Sequence, residues 1–322
     1  MIIFLFSILF ALFTLLIERT IGITLDYHPD SLTYLDFSDQ TLAKSFVEAP
    51  LDFVGSFFYV IVGFLDKNVF IIITINILVF ALTNLIIYSA VKNILNKESN
   101  LYLVLSLLLI FDPYRAHLSV HVLKDTLIIF SLIFTLHFIN SIFGILSLFS
   151  IFFGILLRFQ FYGYLPLIIL FLKNKNIYIL FFISLMIAPL ISFEFNDIGE
   201  VGSLAFRDFD KIPNFVNFQY PVGQILRGLT WPIIRVFNLA FLFHPIYILF
   251  TAQSLALTFL LFYNRRYLNF NIIIFYLVLA IIASSAPGYN SYLRYTQPVI
   301  TALYLWVISS RYKNIKLYKK KL

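Results

Sequence analysis

Residues 111–139 carry a dense group of ionisable side chains next to a long apolar run. An ionised group left in hydrocarbon costs roughly 2.5–3.5 kcal/mol on insertion scales, so this group is expected at a membrane edge or along a wet cavity. If 115–125 is one helix, the spacing i, i+4, i+7 and i+8 places two imidazoles, an amine and a carboxylate on one face. The alternative is a solvated loop between two spans. The group consists of Asp112, Arg115, His117, His121, Lys124 and Asp125.

Basic side chains at the ends of apolar runs form a second group. Arginine forks bind phosphate and pyrophosphate, so the set favours a site for an anionic, lipid-linked substrate. For any single member the alternative is snorkelling to phospholipid headgroups. Arg158 and Arg294 come first, because each lies at a turn before a following span. The other cations at span ends are Arg115, Lys124, Arg227 and Arg235.

The segment after the first apolar run offers carboxylates. Asp26 and Asp30 flank His28 and Pro29, and a base placed there could take a proton from a substrate hydroxyl. Imidazoles can serve the same purpose. The predicted catalytic bases are therefore Asp26, Asp30, His117 and His121. A divalent cation could also bind such oxygens, but the spacing is no metal signature, and we predict no metal or other cofactor.

The composition is that of an integral membrane protein. Apolar residues make up 61% of the chain and charged residues 12%, against about 25% charged in soluble domains. The apolar runs predict an all-α bundle of about 10–11 transmembrane helices, with 53–65 either interfacial, re-entrant or an eleventh span. The runs are 2–17, 69–91, 100–111, 126–139, 142–157, 161–172, 177–193, 240–263, 271–285 and 297–310.

The distribution of lysine and arginine predicts the orientation. With both termini in the cytosol, the inner segments hold 12 of the 23 basic residues and one of the 16 acidic ones. The chain is then a single transmembrane domain, 1–322, with outer loops at 18–68 and 194–239. Its basic tail, 311–322, is expected to contact anionic membrane lipids. No basic patch on a folded domain points to nucleic acid, and the lack of cysteine excludes thiolate chemistry.

Four segments resemble a known family. They are DYHPDSLTYLDFS, DPYRAHLSVHVLKDTLIIFSLIF, LLRFQFYGYLPLIIL and SYLRYTQPVI. In order, they are similar to an acidic first outer loop, a Pro-containing turn followed by Lys-Asp, an arginine turn, and an Arg-Tyr-x-x-Pro helix start. This layout resembles the GT-C membrane glycosyltransferases, and more narrowly the O-antigen and capsular polysaccharide repeat-unit polymerases (Wzy-type, including EpsG-like proteins). The chain departs from that family in its smaller size and its short second outer loop.

The resemblance implies glycosyl transfer at the outer face of the bacterial inner membrane. A glycan on undecaprenyl pyrophosphate would pass to the terminal sugar of a second lipid-linked repeat unit. Basic side chains would hold the pyrophosphates, first Arg158 and Arg294 and behind them Arg115, Lys124, Arg207, Arg227 and Arg235. One of the four bases would activate the acceptor. A chain-length regulator protein is a further expected partner. Two alternatives stay open: another GT-C-type transferase with a polyprenyl-phosphate sugar donor, or a flippase for the lipid-linked oligosaccharide.

Overall fold

Every regular element in the described part of the chain is a helix. A computed structural model describes residues 1–24, 27–48, 53, 55–95, 100–141, 143–171, 259, 275, 278–279 and 294–308. The outer loop at 194–239 and the tail at 311–322, both predicted from the sequence, lie outside these residues.

The helices follow one another with short connections. They are α1 (Ile2–Thr20), α2 (Pro29–Phe37), α3 (Gln40–Glu48), α4 (Phe57–Phe64), α5 (Val69–Leu95), α6 (Asn100–Ile110), α7 (Pro113–Ser119), α8 (Asp125–Phe138), α9 (Gly144–Leu157), a 3-10 helix (Phe159–Tyr164) and α10 (Leu165–Phe171). A further helix, α11, covers 294–308.

The predicted apolar runs form helices wherever the structure describes them. The runs at 69–91 and 126–139 correspond closely to α5 and α8, and the run at 2–17 extends to Thr20 in α1. The segment 53–65 contains only α4, which is eight residues long. At 1.5 Å per residue α4 reaches about 12 Å, well short of the ~30 Å hydrocarbon core, so α4 alone is not an eleventh spanning helix.

Two described helices are long and apolar enough to cross a membrane, namely Ile2–Thr20 and Val69–Lys92. Only 17% of the apolar window of α1 is buried inside the protein. Its exposed side chains include Phe6, Leu9 and Phe13, and so much exposed apolar surface on one helix is typical of contact with lipid or a partner. A core helix of a soluble protein would bury this surface, so membrane association is favoured.

The long helix α5 lies at the centre of the packing. It contacts α1, α6, α7 and α8, and α8 packs in turn on α9. In α11 the apolar side chains from Val299 to Ile308 are buried. The polar contacts that join helices inside this apolar core include the bond from Asn84 of α5 to the hydroxyl of Ser7 in α1 at 3.0 Å and the bond from Gln297 of α11 to Asp112 at 2.6 Å.

The chain between α7 and α8 is not helical. The single helix over 115–125, which the sequence left open as one of two hypotheses, does not form, since α7 ends at Ser119 and α8 begins at Asp125. Asn76 of α5 stabilises the break, because its side-chain amide donates to the carbonyls of His121 and Leu123 at 2.9 and 3.0 Å. These carbonyls thus have partners although no helix continues past them.

Candidate functional site

The centre of the site is a buried carboxylate between two arginines. Arg294 donates from Nε and Nη2 to Asp125 Oδ2 at 3.0 and 2.8 Å. Arg158 Nη2 lies 2.8 Å from Asp125 Oδ1. All three side chains are at most 3% exposed. We call these residues, with Asp30 and Lys124, the ionic cluster.

Two members of this trio lie at helix termini. Asp125 is the first residue of α8, where a negative charge is stabilised by the helix dipole. Arg158 is the residue after α9, and its guanidinium lies 4.2 Å from the ring centroid of Tyr295. Arg294 is the first described residue of α11. The cluster therefore fixes the relative positions of three helices.

Asp30 and Lys124 complete the ionic cluster and connect it to its surroundings. Arg294 Nη1 donates to Asp30 Oδ2 at 2.7 Å. The Asp30 side chain is 44% exposed, so this carboxylate can reach water while the Arg294 guanidinium is buried. Lys124 donates to the carbonyl of Gly55 at 3.0 Å and lies against the ring of Tyr34.

Three histidines and a glutamate form a second group, which we call the histidine cluster. Glu18 lies 2.8 Å from His117 Nδ1 through one oxygen and 2.8 Å from His121 Nε2 through the other. The Nε2 atoms of His28 and His117 are 2.9 Å apart. The rings of Tyr27 and Tyr114 pack against His117.

The hydrogen bonds of the histidine cluster restrict its tautomers. A carboxylate only accepts, so His117 Nδ1 and His121 Nε2 carry the protons that face Glu18. The Nε2 of a neutral His117 is then an acceptor, and His28 Nε2–H donates to it. In this arrangement His121 Nδ1 carries a lone pair and no proton, and it is buried without a hydrogen-bond partner in the described part of the chain.

Burial changes the protonation of both clusters. It lowers the pKa of His28, and the nearby charges of His117 and Arg294 lower it further. It also lowers the pKa of His121, although Glu18 acts in the opposite direction. Burial lowers the pKa of Lys124 from 10.5 to about 7, with a further contribution from Arg158. These imidazoles are therefore neutral near pH 7, and Lys124 is poised between its two forms.

The structure brings most of the predicted residues in its described part together. Asp30, Lys124, Arg158 and Arg294 meet in the ionic cluster, and His117 and His121 meet in the histidine cluster. Their buried setting shows that the alternative of a solvated loop at 111–125 is wrong. The predicted base Asp26 and the predicted ligands Arg207, Arg227 and Arg235 lie outside the described residues.

Arg115 occupies a different position from the one predicted. Its guanidinium donates to the carbonyls of Leu109 and Ile110 at the end of α6, and its Nε lies 3.4 Å from Asp112. It is fully buried under the ring of Phe80. Arg115 thus caps α6 and holds α7 in place, and these contacts do not present it to a lipid headgroup.

Two acidic residues of the site were not among the predicted site residues. Glu18 stands next to Arg19 at the end of an apolar run, so it reads as an ordinary membrane-edge residue. Asp125 belongs to the polar group at 111–139, but no catalytic or binding role was predicted for it. Its position directly after Lys124, at the start of an apolar run, is the sequence feature that could have indicated a role.

Comparisons with known proteins add no relatives. A scan against protein-family models, a search of curated proteins and a search of solved structures each returned no match.

Proposed function

We propose that this protein is a membrane glycosyltransferase that polymerises undecaprenyl-pyrophosphate-linked oligosaccharide repeat units at the outer face of a bacterial inner membrane. The observation that supports it most is the ionic cluster, in which one buried carboxylate holds two arginines beside a half-exposed aspartate. The proposal retains the multi-pass architecture of about 10–11 spans with cytosolic termini and the GT-C-like fold.

The ionic cluster has the donors that a pyrophosphate requires. A guanidinium has five N–H groups, and the bonds of Arg294 to Asp125 and Asp30 use three of them. Asp125 holds the fork of Arg294 in one orientation, so little side-chain entropy is lost when a second anion binds. Lys124 adds a third cation in the same cluster.

Substrate binding and base activation are linked in this geometry. A pyrophosphate that binds Arg294 competes with Asp30 for Nη1, and Asp30 can leave because its side chain already reaches solvent. The released carboxylate can then accept a hydrogen bond from an acceptor hydroxyl. In this proposal, the donor lipid therefore frees the base that activates the acceptor.

The transfer step forms one bond to the anomeric carbon and breaks another. Asp30 takes the proton of the acceptor sugar hydroxyl, and the hydroxyl oxygen forms a bond to the anomeric carbon of the donor glycan. The bond between that carbon and the pyrophosphate oxygen breaks, and the electron pair leaves with the pyrophosphate. Arg158, Arg294 and Lys124 stabilise the charge that develops on this leaving group.

Asp30 is the best placed of the four predicted bases. His117 and His121 are buried, so neither side chain reaches a bulky sugar at the surface. Asp26 lies outside the described residues. The exposed part of Asp30 is the group that an acceptor hydroxyl can reach.

Glycan length in a strain lacking this protein tests the function. We expect a single repeat unit on surface glycan that is otherwise exported and attached normally. Unchanged polymer length would contradict the proposal. Re-expression of the wild-type chain should restore the full length distribution.

A matched pair of aspartates tests the base. We expect Asp30→Asn to reduce the polymerisation rate about 10²–10⁴-fold, the usual contribution of a general base. Asp36→Asn is the control, because Asp36 is exposed and accepts from Lys67 through its backbone carbonyl. Both proteins are reconstituted in vesicles with lipid-linked repeat units, and equal rates would exclude Asp30 as the base.

A second candidate function, a flippase for the same lipid-linked glycan, rests on Glu18. This carboxylate lies on a helix long enough to cross a membrane and is buried against two imidazoles. Ionisable groups in such positions are typical of proton relays. Repeat units stranded in the cytosolic leaflet of the strain lacking the protein would favour the flippase, whereas single exported units would favour the polymerase.

A further inference from the structure

The three imidazoles of the histidine cluster are close enough to share one ion. His28, His117 and His121 each offer a ring nitrogen, and these nitrogens lie within 4.8 Å of one another. All three residues are buried. We propose that they form a binding site for a divalent transition metal, with Zn²⁺ as the best match. This inference does not depend on the proposed glycosyl transfer.

Glu18 orients two of the three ligands. It accepts hydrogen bonds from His117 Nδ1–H and His121 Nε2–H, which leaves His117 Nε2 and His121 Nδ1 as the lone pairs. A carboxylate that binds the outer N–H of a metal-bound histidine fixes its tautomer and raises its basicity. Here a single carboxylate does this for two histidines from different segments, α7 and the break that follows it.

A buried ring nitrogen without a hydrogen-bond partner supports the proposed metal site. His121 Nδ1 is buried without a hydrogen-bond partner in the described part of the chain, and an unsatisfied buried acceptor costs about 1–3 kcal/mol. Coordination would satisfy this lone pair. It would also explain why two further imidazoles converge around it, where simple packing would favour apolar side chains.

Coordination requires the rings to move from their positions in the structure. With Zn–N bonds of about 2.0–2.1 Å, two ligand nitrogens in a tetrahedral site are separated by roughly 3.3–3.4 Å. His28 Nε2 and His117 Nε2 are 2.9 Å apart, so these two rings must separate by a few tenths of an ångström. The three ligand nitrogens lie within 4.8 Å of one another, so the His121 ring must approach by up to about 1.4 Å. His28 must also shift its proton from Nε2 to Nδ1, which is a tautomer change without a change in charge.

Three neutral imidazoles suit the later first-row metals and leave one position open. Imidazole is a common ligand for Zn, Cu, Fe and Ni, whereas Ca and Mg prefer oxygen. A His₃ set leaves the fourth tetrahedral position to water or a substrate group. The site would thus hold a Lewis acid with one open coordination position.

The test measures metal binding by the full-length protein in detergent, purified through a tag without histidine. Added alone, Zn²⁺ is expected to bind with one ion per chain, and Co²⁺ is expected to give the intense visible absorption of a four-coordinate site. Co²⁺ that remains six-coordinate, or the absence of stoichiometric Zn²⁺, would overturn the proposal without any variant.

Variants then locate the ion. We expect His117→Gln and His121→Gln to lose stoichiometric binding and Glu18→Gln to weaken it about 10–100-fold. His137→Gln is the matched control, because His137 is half-buried in α8 and bonded to Ser89. Size-exclusion profiles show whether each variant is folded. Equal loss in His137→Gln, or full binding by both cluster variants, would place the ion elsewhere and refute the site.

Discussion

The ionic cluster predicts an asymmetric response to the loss of its central carboxylate. In Asp125→Asn, Arg294 keeps a carboxylate partner in Asp30, whereas Arg158 has no other carboxylate among the described residues. Removing one partner of a buried pair costs about 3–5 kcal/mol, because the remaining charge stays buried and uncompensated. We expect Asp125→Asn to lose this much free energy of unfolding.

Double variants separate the two arginines. Adding Arg158→Gln to Asp125→Asn removes the uncompensated cation, and we expect it to restore about 0.5–3 kcal/mol, the usual range for coupled neighbours. Adding Arg294→Gln instead should restore less, since Arg158 remains uncompensated and Asp30 loses its partner.

The measurement is equilibrium unfolding in mixed micelles, followed by circular dichroism, with Asp36→Asn as the exposed control expected within about 0.5 kcal/mol of wild type. Equal restoration by the two arginine substitutions would refute the assignment of partners. So would an Asp125→Asn protein as stable as the control, because that result would mean that the arginines are hydrated or otherwise paired.

Three further predictions concern the break, the lysine and a close helix contact. Asn76→Leu removes the side-chain donor of the His121 and Leu123 carbonyls, and of these only the His121 carbonyl keeps a backbone donor among the described residues, the N–H of Leu123 at 2.9 Å. We expect the free energy of unfolding to fall by about 1–3 kcal/mol in the same assay, because the Leu123 carbonyl loses this donor. Wild-type stability would show that the break does not need this amide. The affinity for a lipid pyrophosphate should fall as pH rises through about 7, where Lys124 loses its proton. Lys124→Arg should remove this pH dependence of the affinity. If the affinity of the variant still depended on pH, another group would be responsible. Because the unfolded chain binds the Lys124 proton up to about pH 10.5, unfolding experiments should also show stability rising from pH 7 toward that value. Gly63→Ala brings a methyl group against the backbone carbonyl of Asp39. We expect the free energy of unfolding, followed by thermal unfolding, to fall by about 1–3 kcal/mol. An unchanged melting temperature would show that α3 can move away.

The helices were predictable because lipid-compatible segments are long and apolar. The runs at 2–17, 69–91 and 126–139 needed no tertiary information, and their helices begin and end within a few residues of the predicted limits. The break after α7 was not predictable in the same way. No glycine or proline marks 120–124, and the donor that stabilises it, Asn76, is supplied by another helix.

The members of the site were easier to predict than their partners. Arg158 and Arg294 stood out as cations at the ends of apolar runs, and the predicted partner was an anionic lipid-linked substrate. In the structure both guanidiniums pair with Asp125, which is 169 residues from Arg294 in sequence. Pairing over such a separation depends on how α8, α9 and α11 pack. Glu18 shows the same limit, because only the approach of α7 to α1 gives its carboxylate two imidazole partners.

The charge balance of the ionic cluster indicates which of its members moves. The charges of Arg158 and Arg294 equal those of Asp30 and Asp125, so the four groups are neutral together, and Lys124 can add a charge only by taking up a proton near pH 7. Binding of an anion must therefore be accompanied either by proton uptake at Lys124 or by displacement of a carboxylate.

Displacing Asp125 would leave a buried carboxylate without its guanidinium partners, which is the costly case. Displacing Asp30 moves a side chain that is already 44% exposed into water, which solvates it at little cost. The cluster is thus built with one fixed carboxylate and one replaceable carboxylate. Asp30 is therefore the member of the ionic cluster that we expect to move when an anion binds Arg294.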